Sequence, residues 1–234
     1  MRRNPANERD DMAEPTLPEL MRAGAAALVL QEVQNGIVGA ETAFPALADA
    51  AAEVGVVPNA ARLAAAARAA GVPVVHATAE TLPHGFGANR NARLFAGALK
   101  AGARNAPGTS SVRPVDEVFA PGDLVLPRYH GLSPMADGQL DALLRNSGIT
   151  SIVVAGVSLN VAITNLVFDA VNRSYRVIVP ADAVAGTPAA YGTQVLDNCL
   201  GLIATLTTTG QVAAVWAAAG GVGGGAGAGR AGGR

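Results

Sequence analysis

The sequence predicts an α/β fold: a three-layer α/β/α sandwich around a mostly parallel, six-stranded sheet. Three observations predict it. Short apolar runs alternate along the chain with helical stretches, as a parallel sheet requires, because each strand must be carried back over the sheet by a crossover. The runs AAALVLQ and SIVVA are continuously apolar rather than alternating, so both faces of those strands are expected to be covered. Gly and Pro-Gly punctuate the joints, at Gly71, Pro121-Gly122 and Gly148.

Taken in order, Ala25–Gln31 is the first strand. Asn59–Ala70 is an Ala-rich helix ending at Gly71, followed by the strand Val72–Ala77. The turn Pro121-Gly122-Asp123 introduces a third strand, Leu124–Pro127. Leu140–Asn146 is helical with Gly148 just beyond, and Ser151–Ala155 is the fourth strand. A helix from about Asn160 to Arg173 leads to the strand Arg176–Pro180. The helix Pro188–Ile203, the strand Ala204–Thr208 and a last helical turn or two over Val212–Ala219 complete the pattern. The expected organisation is a flexible tail over 1–20, one domain over 21–219 and a disordered Gly/Ala/Arg tail over 220–234. Gly-x-Gly-x-x-Gly spacings in that last tail follow no strand and open no helix, so they do not signal dinucleotide binding.

Composition narrows the function classes. With 234 residues, 50% apolar and 15% charged, the chain can bury a sizeable core. Net charge is −1, from 17 basic and 18 acidic residues, which offers no electrostatic footprint for nucleic acid or an anionic membrane. The uncharged stretch Asn198–Gly229 is broken by polar residues and lacks the roughly 20 strongly apolar residues of a membrane span. Cys199 is the only cysteine, which excludes an internal disulfide and a cysteine-based metal cluster; in its helical run it reads as a packed core thiol. MRRNPANERDDMAEP is not a secretory signal. A cytoplasmic protein with no membrane or nucleic-acid partner is the expectation.

In parallel sheets the ligand site lies at the carboxyl ends of the strands, which points to Glu32, His76–Glu80, Arg128–His130 and the turn Gly156–Ala162. Glu32 is placed to act as acid or base, or else is a solvated loop glutamate. Arg128 can hold a carboxylate through two parallel hydrogen bonds, or form a structural ion pair. His130 reads as a pocket residue or a loop-structuring one, and His76, inside an apolar strand, as a hydrogen-bonded core histidine. Gly156-Val157-Ser158-Leu159-Asn160 has the outline of a nucleophile elbow. Its fifth residue is Asn, however, and His76, His84 and His130 all precede Ser158, so the α/β-hydrolase order is absent.

Three segments together resemble the isochorismatase-like (cysteine hydrolase) superfamily, which includes nicotinamidases and isochorismatases. Glu32-Val33-Gln34-Asn35 stands where that family has Asp-x-Gln-Asn. Gly122-Asp123-Leu124-Val125-Leu126-Pro127-Arg128 puts arginine at a lysine position, and Gly156-Val157-Ser158-Leu159-Asn160-Val161-Ala162-Ile163 puts alanine at the cysteine position. Leu140–Arg145, Asp169-Ala170 and Pro180–Ala183 also look familial, and the resemblance covers roughly residues 24 to 216. It implies a catalytic set of Glu32, Arg128 and Ala162, the last at the nucleophile position. It places Gln34, His130, Ser158 and Asn160 against the substrate, and implies a cis peptide before Ser158. It also implies a homo-oligomer, dimer or tetramer. A methyl group forms no acyl-enzyme, so the expected activity is a hydrolase without a cysteine nucleophile. Such an enzyme would act on a small carboxylate-bearing metabolite by Glu-assisted protonation or water activation. The alternative is a catalytically silent small-molecule-binding or regulatory protein on the same fold. Nicotinamidases carry an Asp/His/His metal set after the second strand; here only Glu80 and His84 fall there, with Leu82 at a histidine position, so neither metal nor cofactor is expected.

Overall fold

The computed structural model describes residues 15–100, 105–136 and 139–222. Residues 1–14 and 223–234, most of the two expected tails, lie outside the described residues.

The sheet is built from β1 (Ala26–Gln31), β2 (Val74–Ala79), β3 (Leu124–Arg128), β4 (Ser151–Val157), β5 (Arg176–Pro180), β6 (Val184–Ala185) and β7 (Thr205–Thr207). All pairings are parallel, in the order β3-β2-β1-β4-β5-β7, with β6 paired to the end of β4. The sheet therefore has seven strands rather than six. The extra one, two residues long, is too short to leave a pattern in sequence.

Central strands show why their runs are continuously apolar. In β1, Ala27 and Val29 point into one core and Leu28 and Leu30 into the other; β4 divides the same way, Ile152 and Val154 against Val153 and Ala155. One core is covered by α5 (Gln139–Asn146), α6 (Thr164–Asn172) and α7 (Gly192–Asn198). The other lies under α3 (Val56–Ala69) and α8 (Thr209–Val222). In α3 the buried positions Val56, Ala60, Leu63, Ala64 and Ala67 recur at helical spacing and form one stripe. Short helices α1 (Leu17–Leu20), α2 (Pro45–Val54) and α4 (Arg93–Lys100) complete the set. The helix α1 falls within the stretch expected as tail, and its Leu20 is buried with Met21.

Among the elements that differ from expectation are one strand and one helix. The strand expected at Val72–Ala77 runs Val74–Ala79, because Pro73 lacks the N–H that a ladder needs. The helix expected over Pro188–Ile203 breaks at Cys199 (φ −125°, ψ −69°) into α7 and a separate short turn. Among the described residues no helix is long and apolar enough to cross a membrane.

Candidate active site

β1 and β4 are neighbours, but from β1 the sheet extends through β2 to β3, and from β4 through β5 to β7. Their carboxyl ends form the switch point at which such sheets leave a crevice. A cavity of about 210 Å³ occupies it. Glu32 follows β1, Glu80 follows β2, Arg128 closes β3 and Ser158 follows β4; all four line the cavity, with His130 and Ala162.

Glu32 is a non-glycine residue with φ 55°, a left-handed conformation that costs on the order of 1 kcal/mol and concentrates at functional positions. Its own N–H is bonded to Ala77 O at 2.9 Å, so the bend comes directly after the last rung with β2. Carboxylate Oε1 accepts from the guanidinium of Arg128 and, at 3.2 Å, from Nε2–H of Gln31. The other terminal nitrogen of Arg128 donates to the carbonyls of His130 and Gly131. Both side chains of the pair are largely shielded, 10% and 13% exposed. Arg128 is thus an internal partner, holding Glu32 and the following turn, rather than an open cationic head for a substrate carboxylate.

Gln31 carries no signal in the sequence beyond closing an apolar strand. It is wholly buried, and its Nε2–H also donates to Leu132 O at 3.2 Å, tying the end of β1 to the loop after β3. Its Oε1 has no hydrogen-bond partner among the described residues. Opposite Gln31, Gly156 (φ 119°) allows the backbones to meet: a Cβ there would lie 2.0 Å from Gln31 O.

The turn after β4 begins with a cis Val157–Ser158 peptide. A π-helical turn, Leu159–Ile163, then leads into α6, with Ser158 O accepting from the N–H groups of Val161 and Ile163 at 3.1 and 3.0 Å. Ala162 lines the cavity and brings no polar side-chain atom to it.

Two residues expected against the substrate are not among those lining the cavity. Gln34 is buried, accepting from Ala79 N–H at 2.6 Å and donating to Ala79 O and Ser111 O at 3.0 and 3.2 Å; it clamps the end of β2 to a neighbouring loop. Asn160 donates to Thr187 O at 3.0 Å and packs so tightly on Gly186 that a Cβ there would lie 2.4 Å from its Oδ1. The hydrogen bonds they make serve loop closure, which side-chain type alone could not reveal.

Ile37, Phe44, Leu47, Leu94 and Phe95 give the cavity an apolar wall. Glu80 is half-buried; burial pushes its carboxyl up from the ordinary value, and the Thr78 hydroxyl, at 3.4 Å, offsets this only in part. His84 is exposed and does not line the cavity, and among the described residues no group of three or more His, Cys, Asp or Glu could hold a metal ion. His76 is buried away from the cavity, its Nε2 2.9 Å from Asp123, and burial pushes its imidazole down. Cys199 is half-buried against the core under α7 and also lies outside the cavity.

Fold and site thus define an α/β protein with a ligand cavity at the carboxyl edge of a parallel sheet. Residues 26–211 match the Isochorismatase domain, and the chain belongs to the isochorismatase-like hydrolase family. It is 33% identical over 215 residues to ureidoacrylate amidohydrolase RutB of Methylorubrum extorquens, covering 80% of this chain and 82% of that protein. Over 186 residues it is 30% identical to the ureidoacrylate amidohydrolase RutB of Pseudomonas syringae pv. syringae, covering 72% and 75%. The crystal structure of a cysteine hydrolase from Pseudomonas syringae pv. phaseolicola superimposes with a TM-score of 0.74 at 22% identity, covering 89% of this chain and 100% of that one, a likeness of fold.

Proposed function

We propose that the cavity hydrolyses a small amide or ureide by direct attack of water, with no covalent enzyme intermediate. The observation that carries this reading is the Glu32–Arg128 pair lining the same cavity as Ala162. A methyl group offers no nucleophile, and Cys199 lies elsewhere, so no thiol serves the cavity; in this reading a water activated by Glu32 is the attacking group. Glu32 accepts two N–H bonds on Oε1, the arrangement of a base rather than a proton donor. It takes a proton from water as the water oxygen bonds to the carbonyl carbon. The backbone N–H groups of Ser158 and Ala162, at the start of a helical segment, receive the developing oxyanion. Collapse breaks the C–N bond, and Glu32 returns its proton to the leaving nitrogen. One water is consumed; an acid and an amine leave.

The names of the curated relatives support an amide-type C–N bond as the target. A carboxylate on the substrate was expected because Arg128 would hold it. That guanidinium is engaged by Glu32 and two loop carbonyls, so this reading does not assign Arg128 the substrate's carboxylate.

The test is product release from a panel of amides, ureides and vinyl ethers that includes ureidoacrylate and isochorismate, comparing wild type with Glu32→Gln. Wild type should turn over an amide or ureide, and the variant should lose about 10²- to 10⁴-fold in kcat. Equal rates would remove Glu32 from the mechanism. Ligand binding without wild-type turnover would replace hydrolysis with a binding role on the same fold.

A further inference from the structure

We propose that Glu80 is the ligand-recognising carboxylate of this cavity, selecting molecules that carry a protonated nitrogen, such as an amine or amidine, beside their amide. The inference rests on the reading above that the cavity receives the substrate.

Charge balance in the cavity leads to it. The carboxylates and guanidinium lining the cavity are those of Glu32, Glu80 and Arg128. Arg128 pairs with Glu32, and among the described residues no cationic side chain pairs with Glu80. Among the described residues its carboxylate accepts from the Thr78 hydroxyl at 3.4 Å, a long contact that leaves most of its acceptor capacity open. Glu80 is nevertheless fixed at its backbone: its N–H donates to Arg128 O at 2.9 Å, which extends the β2–β3 ladder by one residue. The guanidinium of that same Arg128 is turned to Glu32 instead.

The apolar wall of the same cavity makes the unpaired charge count. Ile37, Phe44, Leu47 and Phe95 keep part of the cavity apolar, so the field of a carboxylate is screened less than at an open surface. Burial already works against its charged form, and a cationic ligand would relieve that penalty where an anionic ligand would add to it. Phenylalanine side chains in the wall tolerate a cation.

The test uses three small amides of nearly equal size: β-alaninamide, a cation; butyramide, neutral; and succinamate, an anion. Calorimetric titration at pH 7.5 of wild type, Glu80→Gln and Glu80→Asp reads their affinities, with thermal melts confirming that each variant is folded. Wild type should bind β-alaninamide at least about tenfold more tightly than butyramide, with succinamate weakest. Glu80→Gln should bring cation and neutral amide within about twofold, and Glu80→Asp should keep the cation preference. Tightest binding of succinamate, a preference that survives Glu80→Gln, or binding of none of the three would overturn the proposal. Because binding is read without turnover, a protein that prefers the cation yet hydrolyses nothing would sink the hydrolase reading and leave this one standing.

Discussion

Gln31 occupies a position where the flanking strand residues, Leu28, Val29 and Leu30, are all buried and apolar. Its amide is retained there although Oε1 finds no partner among the described residues, and burying an unsatisfied acceptor costs about 1–3 kcal/mol. What Nε2 does instead is hold the Glu32 carboxylate and the Leu132 carbonyl in one geometry. Gln31→Leu should therefore separate function from stability. One hydrogen bond to a charged group is worth about 1.5–3 kcal/mol, so kcat should fall by about tenfold or more with KM little changed, while the melting temperature holds or rises. A parallel loss of folding would mean that Gln31 is structural alone. A second residue-level test concerns position 162. In Ala162→Cys the new thiol, lining the cavity at the head of a helical segment, should react with iodoacetamide faster than half-buried Cys199. Labelling confined to Cys199 would displace Ala162 from the cavity.

At the scale of elements, β2, β3 and α3 are joined by a buried charge cluster. Asp123, entering β3, accepts from Arg68 of α3 at 3.0 and 2.6 Å, lies 2.9 Å from His76 Nε2 in β2, and accepts from Ala120 N–H at 3.0 Å. Burial alone would raise the Asp123 carboxyl, but the bonds from Arg68, His76 and Ala120 outweigh it and bring it down to about 2. The stability it contributes, about 2 kcal/mol from that displacement, is present above the ordinary value of 3.8 and lost as pH falls through about 2. His76 is displaced downward by burial, so the unfolded chain binds its proton first and stability also declines as pH drops below the ordinary 6.5. Melting temperature against pH should show both limbs. His76→Gln should flatten the decline just below pH 6.5, and Asp123→Asn should destabilise at pH 7 with a deficit that shrinks in strong acid. A wild-type melting temperature constant from pH 7 to 5 would contradict the His76 limb.

The same elements show what the sequence could and could not reveal. Continuously apolar β1 and β4, and the Ala-rich α3 with its regular buried stripe, were legible because burial on a parallel sheet leaves a pattern. Helix α2, PALADAAAEV, buries only Ala50 and Ala51, too little contrast to mark a face. α4 is amphipathic in sequence but turns Leu94 and Phe95 to the cavity, so its apolar face marks a pocket wall rather than a core stripe. In the site, the strand-end rule located Glu32 and Arg128 and the family resemblance set them together, but neither showed that Arg128 also holds two loop carbonyls or that Gln34 faces a loop. Those depend on which neighbouring segment supplies the partner.

For the molecule as a whole, the first and last described helices are joined through Met21 and Trp216. Trp216 of α8, the only tryptophan, is 1% exposed, and its Nε1–H donates to Met21 O at 3.2 Å just after α1. Asp182 accepts from Thr209 N–H and hydroxyl at 2.7 and 3.0 Å, fixing the start of the same helix. Met21, Leu20 and Trp216 share the core beneath α3, and none lines the cavity. Removing the indole should therefore loosen both helices without touching the chemistry. Trp216→Ala should cost about 3–5 kcal/mol, a fall of about 10 °C in melting temperature for a domain of this size. At temperatures well below that melt, kcat for whatever amide the wild type hydrolyses should be unchanged within about twofold, because Glu32, Arg128 and the 158–162 turn are held by β1, β3 and β4. A large loss of kcat with an unchanged melting temperature would show that the contact between these helices reaches the cavity, and that the core beneath α3 and the site are not the independent parts their separation implies.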